Sequence, residues 1–87
     1  MLNSVIVTVK IKNTGIEYDM ELPANMPGLE LCEKLLAALK NIEYSTFRDV
    51  EKININYNYD KYLGDGQNLE EAEIWDGSII NVLAGKQ

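Results

Sequence analysis

The reactive side chains of this chain are few and poorly spaced for catalysis. None of the 87 residues is histidine, which removes the commonest general base and metal ligand. Cys32 is the single cysteine, so neither an intramolecular disulfide nor a C-x-x-C metal pattern can form. It lies on an apolar helical stripe, where free cysteine behaves as a small hydrophobe. No histidine or helix end stands beside it to lower its pKa and make it a nucleophile. The acids gather between residues 65 and 76, where Asp65, Glu70, Glu71, Glu73 and Asp76 occur without a Lys or Arg among them. A calcium loop starting at Asp60 would need oxygen ligands where Tyr62 and Gly64 stand. No carboxylate pair is placed for acid–base work. The expectation is therefore a chain with no catalytic, cofactor or metal site. An enzyme is accordingly not expected.

What remains is contact chemistry. The acidic segment is either a solvated face or a docking surface that speeds encounter with a basic partner. Trp75, beside Asp76-Gly77, either folds over the edge of the core or anchors a protein partner, as aromatic residues at interfaces do. The net charge of −6, from 14 acidic and 8 basic residues, argues against a nucleic-acid partner, whose phosphates demand clustered Lys and Arg. The same sign disfavours an anionic membrane surface. The apolar run at residues 5–9 is too short for a signal peptide or a membrane span, so the cytoplasm is the expected compartment.

These side chains need a scaffold, and 87 residues suffice for one domain with one compact core. Its core is expected over about residues 4–83, with a short tail at 84–87. Val5, Val7, Val9 and Ile11 alternate with Ile6, Thr8, Lys10 and Lys12, the period of a half-buried strand. Asn13-Thr14-Gly15 is a turn. Ile16, Tyr18, Met20 and Leu22 then alternate with Glu17, Asp19 and Glu21, completing an antiparallel hairpin with acids opposite lysines. Pro23 ends the second strand and Pro27 suits the first turn of a helix.

Residues 29–42 have helical spacing, with Leu29, Cys32, Leu36 and Leu39 on one stripe flanked by Leu35 and Ile42. Residues 43–52 read as a loop. Residues 53–59 alternate Ile53, Ile55, Tyr57 and Tyr59 with Asn54, Asn56 and Asn58. Asn is a poor strand former, so pairing must impose that strand. Residues 60–63 allow a short edge strand and Gly64-Asp65-Gly66 a turn. Asp76-Gly77 is a tight corner, and residues 78–83 make a closing strand. The order β-β-α-β-(β)-β, with one amphipathic helix, is an α+β layout. With the last strand slotted beside the first, it is a β-grasp.

The segments Asp19-Met20-Glu21-Leu22-Pro23-Ala24-Asn25-Met26-Pro27 and Leu69-x-x-x-x-Ile74-x-Asp76-Gly77-x-Ile79, with the Val5-x-Val7-Thr8 start, resemble the ubiquitin superfamily. More narrowly they are similar to the YukD/EsaB group of small bacterial proteins. The likeness spans about residues 5–83 and implies a ubiquitin-like fold. It also implies a cytosolic accessory role in the type VII (WXG100, ESX-like) secretion systems of Gram-positive bacteria. The implied partner is a cytoplasmic part of the secretion machinery or a regulator.

Ubiquitin-like modifiers and sulfur carriers, the alternative class, need a tail ending in Gly-Gly. The tail here is Ala84-Gly85-Lys86-Gln87. The outer sheet face, much used by ubiquitin-like domains, should carry Ile6 and Thr8, Asn54 and Asn56, and Ile79, Asn81 and Leu83. With Trp75, these are the expected partner-binding residues. A patch that mixes apolar anchors with hydrogen-bonding groups suits a modest interface. An unused, solvated face is the competing expectation.

Overall fold

The computed structural model describes residues 3–85, so Lys86 and Gln87 lie outside the described residues. Strands β1 (Ser4–Ile11) and β2 (Ile16–Pro23) form the expected hairpin, with Ile11 opposite Ile16 and Val5 opposite Leu22. The turn between them uses the left-handed backbone at Asn13 and Gly15, and the Thr14 hydroxyl donates to the Ile11 carbonyl oxygen at 2.8 Å. Helix α1 (Gly28–Ile42) follows, then a four-residue helical turn α2 (Tyr44–Phe47). Strands β3 (Ile53–Tyr57), β4 (Lys61–Tyr62) and β5 (Ile79–Ala84) complete the chain. The sheet order is β2-β1-β5-β3-β4. The last strand lies at its centre, parallel to β1 and antiparallel to β3. This is the β-grasp arrangement.

One face of the sheet is dry. Val5, Val7, Val9 and Ile11, then Ile53, Ile55, Ile80 and Val82, are buried there against α1. The period-two pattern made this face legible, because successive strand side chains point to opposite sides. The expected helix stripe holds at Leu36 and Leu39, with Leu35 beside them, and fails at its two ends. Leu29 and Ile42 are about half exposed and Cys32 is only partly buried, whereas Leu31 is 1% exposed. The buried row is Leu31, Leu35 and Leu39, spaced by four, with Leu36 beside it. A leucine-rich helix offers two stripes of nearly equal quality, and only the docking angle on the sheet selects one.

Two further expectations fail locally. Residues 43–52 are not wholly irregular, since α2 buries Phe47 in the core. The strand expected to reach residue 59 stops at Tyr57. Asn58 and Tyr59 have φ of 49° and 71°, and Tyr59 is 95% exposed. Left-handed backbone cannot continue a strand, so these residues turn the chain into β4.

The start of α1 is built by the 64–67 turn. The Gly28 and Leu29 N–H groups, which have no partner inside a helix, donate to the carbonyl oxygens of Gln67 (2.8 Å) and Asp65 (3.0 Å). The contact is so close that a Cβ on Gly28 would stand 2.1 Å from the Gly64 oxygen. Residues 68–74 then make one capped turn. Asn68 and Glu71 exchange side-chain bonds to each other's N–H at 2.7 and 2.9 Å, a capping box. At its end the Ile74 N–H bonds back to the Leu69 oxygen across Glu73, whose φ is 59°, a Schellman-type ending.

Candidate protein-binding face

The outer face is assembled by strand register. Thr8 stands opposite Ile79, Lys10 opposite Asn81, Asn54 opposite Leu83 and Asn56 opposite Asn81. Ile6, Thr8, Asn54, Asn56, Asn81 and Leu83 therefore share one surface, together with Ile79. Ile6 and Ile79 are each about half exposed.

Trp75 joins this surface through the corner that follows it. Asp76 Oδ1 accepts the Ile6 N–H at 2.8 Å, and the Gly77 N–H donates to the Ile6 carbonyl oxygen at 2.9 Å. The Trp75 N–H is held by Ser78 Oγ at 2.9 Å, and the Trp75 side chain is 48% exposed. It is neither swallowed by the core nor free of the fold.

The polar members of the face divide. The Thr8 hydroxyl donates to Asp19 Oδ1 at 2.9 Å, across the β1–β2 pair. Asn56 is 9% exposed. Its amide donates to the Lys61 oxygen at 3.2 Å and its Oδ1 accepts from Asn81 at 3.5 Å. Asn56 thus offers a partner little surface, its amide being taken by Lys61 and its Oδ1 by Asn81, although it borders the depression beside Tyr59 and Tyr62. Asn54, Asn81 and Leu83 are partly exposed. Sequence reasoning missed Tyr59 and Tyr62, which line a depression of about 390 Å³ with Lys12, Asn81 and Leu83. The run of tyrosines was visible, but the turn that turns them outward was not.

The reactive groups offer little. Cys32 is partly buried, and burial raises its thiol pKa; Asp65 adds to the rise while Lys52 opposes it. That direction disfavours the thiolate. Among the described residues no group of three or more His, Cys, Asp or Glu is placed to hold a metal ion, and no helix is long and apolar enough to cross a membrane.

No protein-family profile and no curated protein sequence matches this chain. Solved structures do. The EccD5 ubiquitin-like domain from Mycobacterium xenopi superposes with a TM-score of 0.81 at 13% identity, covering 99% of each chain. The fold is ubiquitin-like. The ubiquitin-like domain of the Mycobacterium tuberculosis type VII secretion protein EccD1 gives 0.72 at 20% identity, over 94% of this chain and 99% of that one. Caldiarchaeum subterraneum ubiquitin gives 0.66 at 16% identity, over 97% and 96%. A chain of the MycP5-free ESX-5 inner membrane complex gives 0.75 at 19% identity, with 99% of this chain matched to 22% of that one. At such identities the shared property is the fold, on which many unrelated functions are built.

Proposed function

We propose that this chain is a non-enzymatic, ubiquitin-like accessory or regulatory protein of a Gram-positive type VII secretion system, of the YukD/EsaB kind. It acts in the cytoplasm by binding a protein of the secretion machinery or its regulation. The observation that carries this reading is the superposition on the EccD5 domain at a TM-score of 0.81 over nearly the full length of both chains. A second secretion-system domain and a chain of an inner membrane secretion complex support it. The surface that fits the role is the outer sheet face around Ile6, Thr8, Ile79, Asn81 and Leu83, with Trp75 at its margin. Asn54 lies at the far side of that face and Asn56 beneath it.

The test is affinity capture of the tagged chain from its native host, with intact-mass analysis of everything recovered. Non-covalent recovery of secretion components, lost in a Trp75→Ala, Ile6→Ser variant that still folds, is the expected result. A ladder of covalent adducts would replace the reading with a ubiquitin-like modifier or sulfur carrier. Deletion of the gene with no change in secretion or expression of the small WXG-type substrates would sink it.

A further inference from the structure

We propose that the free edge of β2 is a second protein-binding site, one that takes an extended basic segment of a partner as an added strand. The proposal supplies the partner's chemistry to the protein-binding reading above, on which it rests. It concerns a different surface from the outer face.

The edge is long and open. β2 runs for eight residues and among the described residues its only neighbour in the sheet is β1, whereas the opposite edge strand, β4, has two residues. Which groups point outward follows from β1. Its Ile6, Thr8 and Lys12 N–H groups are directed to Asp76, Ser78 and Val82, on the β5 side. The hydrogen-bonded pairs with β2 are then those of Val5, Val7, Val9 and Ile11 with Leu22, Met20, Tyr18 and Ile16. The N–H and C=O groups of Glu17, Asp19 and Glu21 are consequently left facing away from the sheet. An unpaired row of this kind is a template for β-augmentation.

The side chains decide what can pair there. Glu17, Asp19 and Glu21 are all exposed and all lie on the outer side of the strand. A second copy adding its own β2 antiparallel would set these acids against the same acids, which is destabilising for directly opposed like charges. The edge therefore selects against self-association. A strand with Lys or Arg at every second position would instead meet Asp19 and Glu21, with Glu17 already facing Lys10 across the hairpin. The other side of β2 presents Ile16, Tyr18 and Met20, which pack against the core but stay partly exposed. Apolar residues between the partner's basic positions would extend that layer. The partner segment is thus amphipathic, with basic and β-branched residues alternating.

The experiment is an NMR titration of the isotopically labelled full chain with an acetylated peptide of alternating valine and lysine, set beside its valine–glutamate counterpart. The expected result is that the Glu17, Asp19 and Glu21 amides shift and exchange more slowly, while the acidic peptide leaves them unchanged. Asp19→Asn with Glu21→Gln keeps acceptors for Thr8 and Ser4 and so keeps the fold, but should weaken binding about fivefold. Asp19→Pro removes an outward N–H together with the acceptor of the Thr8 hydroxyl; set against Asp19→Ala, which loses the same acceptor but keeps the N–H, it alone should abolish the exchange protection at Glu17 and Glu21. Absence of binding would overturn the edge site. So would shifts confined to Ile6, Ile79 and Trp75, or equal binding of the acidic peptide. None of those outcomes touches the recovery of secretion components in the capture experiment, so the two readings fail separately.

Discussion

Asp76 Oδ1 accepts the Ile6 N–H at 2.8 Å although the two residues are seventy positions apart. The carboxylate stands where a neighbouring strand's carbonyl oxygen would stand, and the Gly77 N–H returns the second bond to the Ile6 oxygen at 2.9 Å. Together they begin the β1–β5 ladder two residues before its first Cα pair, Thr8 with Ile79. The corner that presents Trp75 is thereby fastened to the strand that presents Ile6.

Removing that acceptor should loosen both. Asp76→Ala is expected to cost about 1 kcal/mol, the usual range for an exposed hydrogen bond. Asp76→Asn, which keeps the oxygen, should cost less. Amide hydrogen exchange at Ile6 is the local check, and unchanged exchange in Asp76→Ala would show that the bond contributes nothing.

Gly28 has the tightest steric constraint. With a Cβ placed 2.1 Å from the Gly64 backbone oxygen, Gly28→Ala should destabilise by about 3 kcal/mol, because backbone on both sides must move. Gly66→Ala meets nothing within 4 Å and should stay within about 0.5 kcal/mol of the parent. Urea denaturation of the two variants makes the comparison.

The helix stripe can be tested in the same way. Leu31→Ala, at a fully buried position, should cost about 2–5 kcal/mol through lost burial and a residual cavity. Leu29→Ala, half exposed, should cost under about 1 kcal/mol. Equal losses would restore the stripe that periodicity alone suggests.

Tyr18 links β2 to the end of α1 through its hydroxyl, which donates to the Glu43 carboxylate. That bond first, then desolvation and the Glu43 charge, raise its pKa above the ordinary 10.0. A folded-state value raised above the unfolded one contributes stability that is present in full below pH 10.0 and lost as pH climbs through the folded value. Spectrophotometric titration should find a late-ionising step for Tyr18, and Tyr18→Phe should remove it together with part of the alkaline loss of stability. A parent and variant with identical alkaline profiles would refute the linkage.

How much of this was legible beforehand depended on the range of the forces involved. The alternation of Val5, Val7, Val9 and Ile11, the acids of β2, the helix after Pro27 and the Asp76-Gly77 corner are local consequences of side-chain period and backbone freedom. They sufficed for the β-grasp and for the membership of the outer face. Asn54 and Asn56 gave no local reason for a strand, yet both sit in β3 because β5 and β4 pair with it on either side. Tyr59 kept the alternation but not the strand, since its backbone turns left-handed.

What the sequence by itself determined was which residues are apolar, at what period, and where the chain can turn. Tertiary structure alone decided that Leu31 rather than Leu29 enters the core, that Asn56 is covered by the turn into β4, and that Asp76 serves as a ladder acceptor for Ile6. Each of these depends on a contact between segments distant in sequence. Period-two and helical patterns constrain which face is buried, but the angle and register at which two faces meet are set only when the whole core closes.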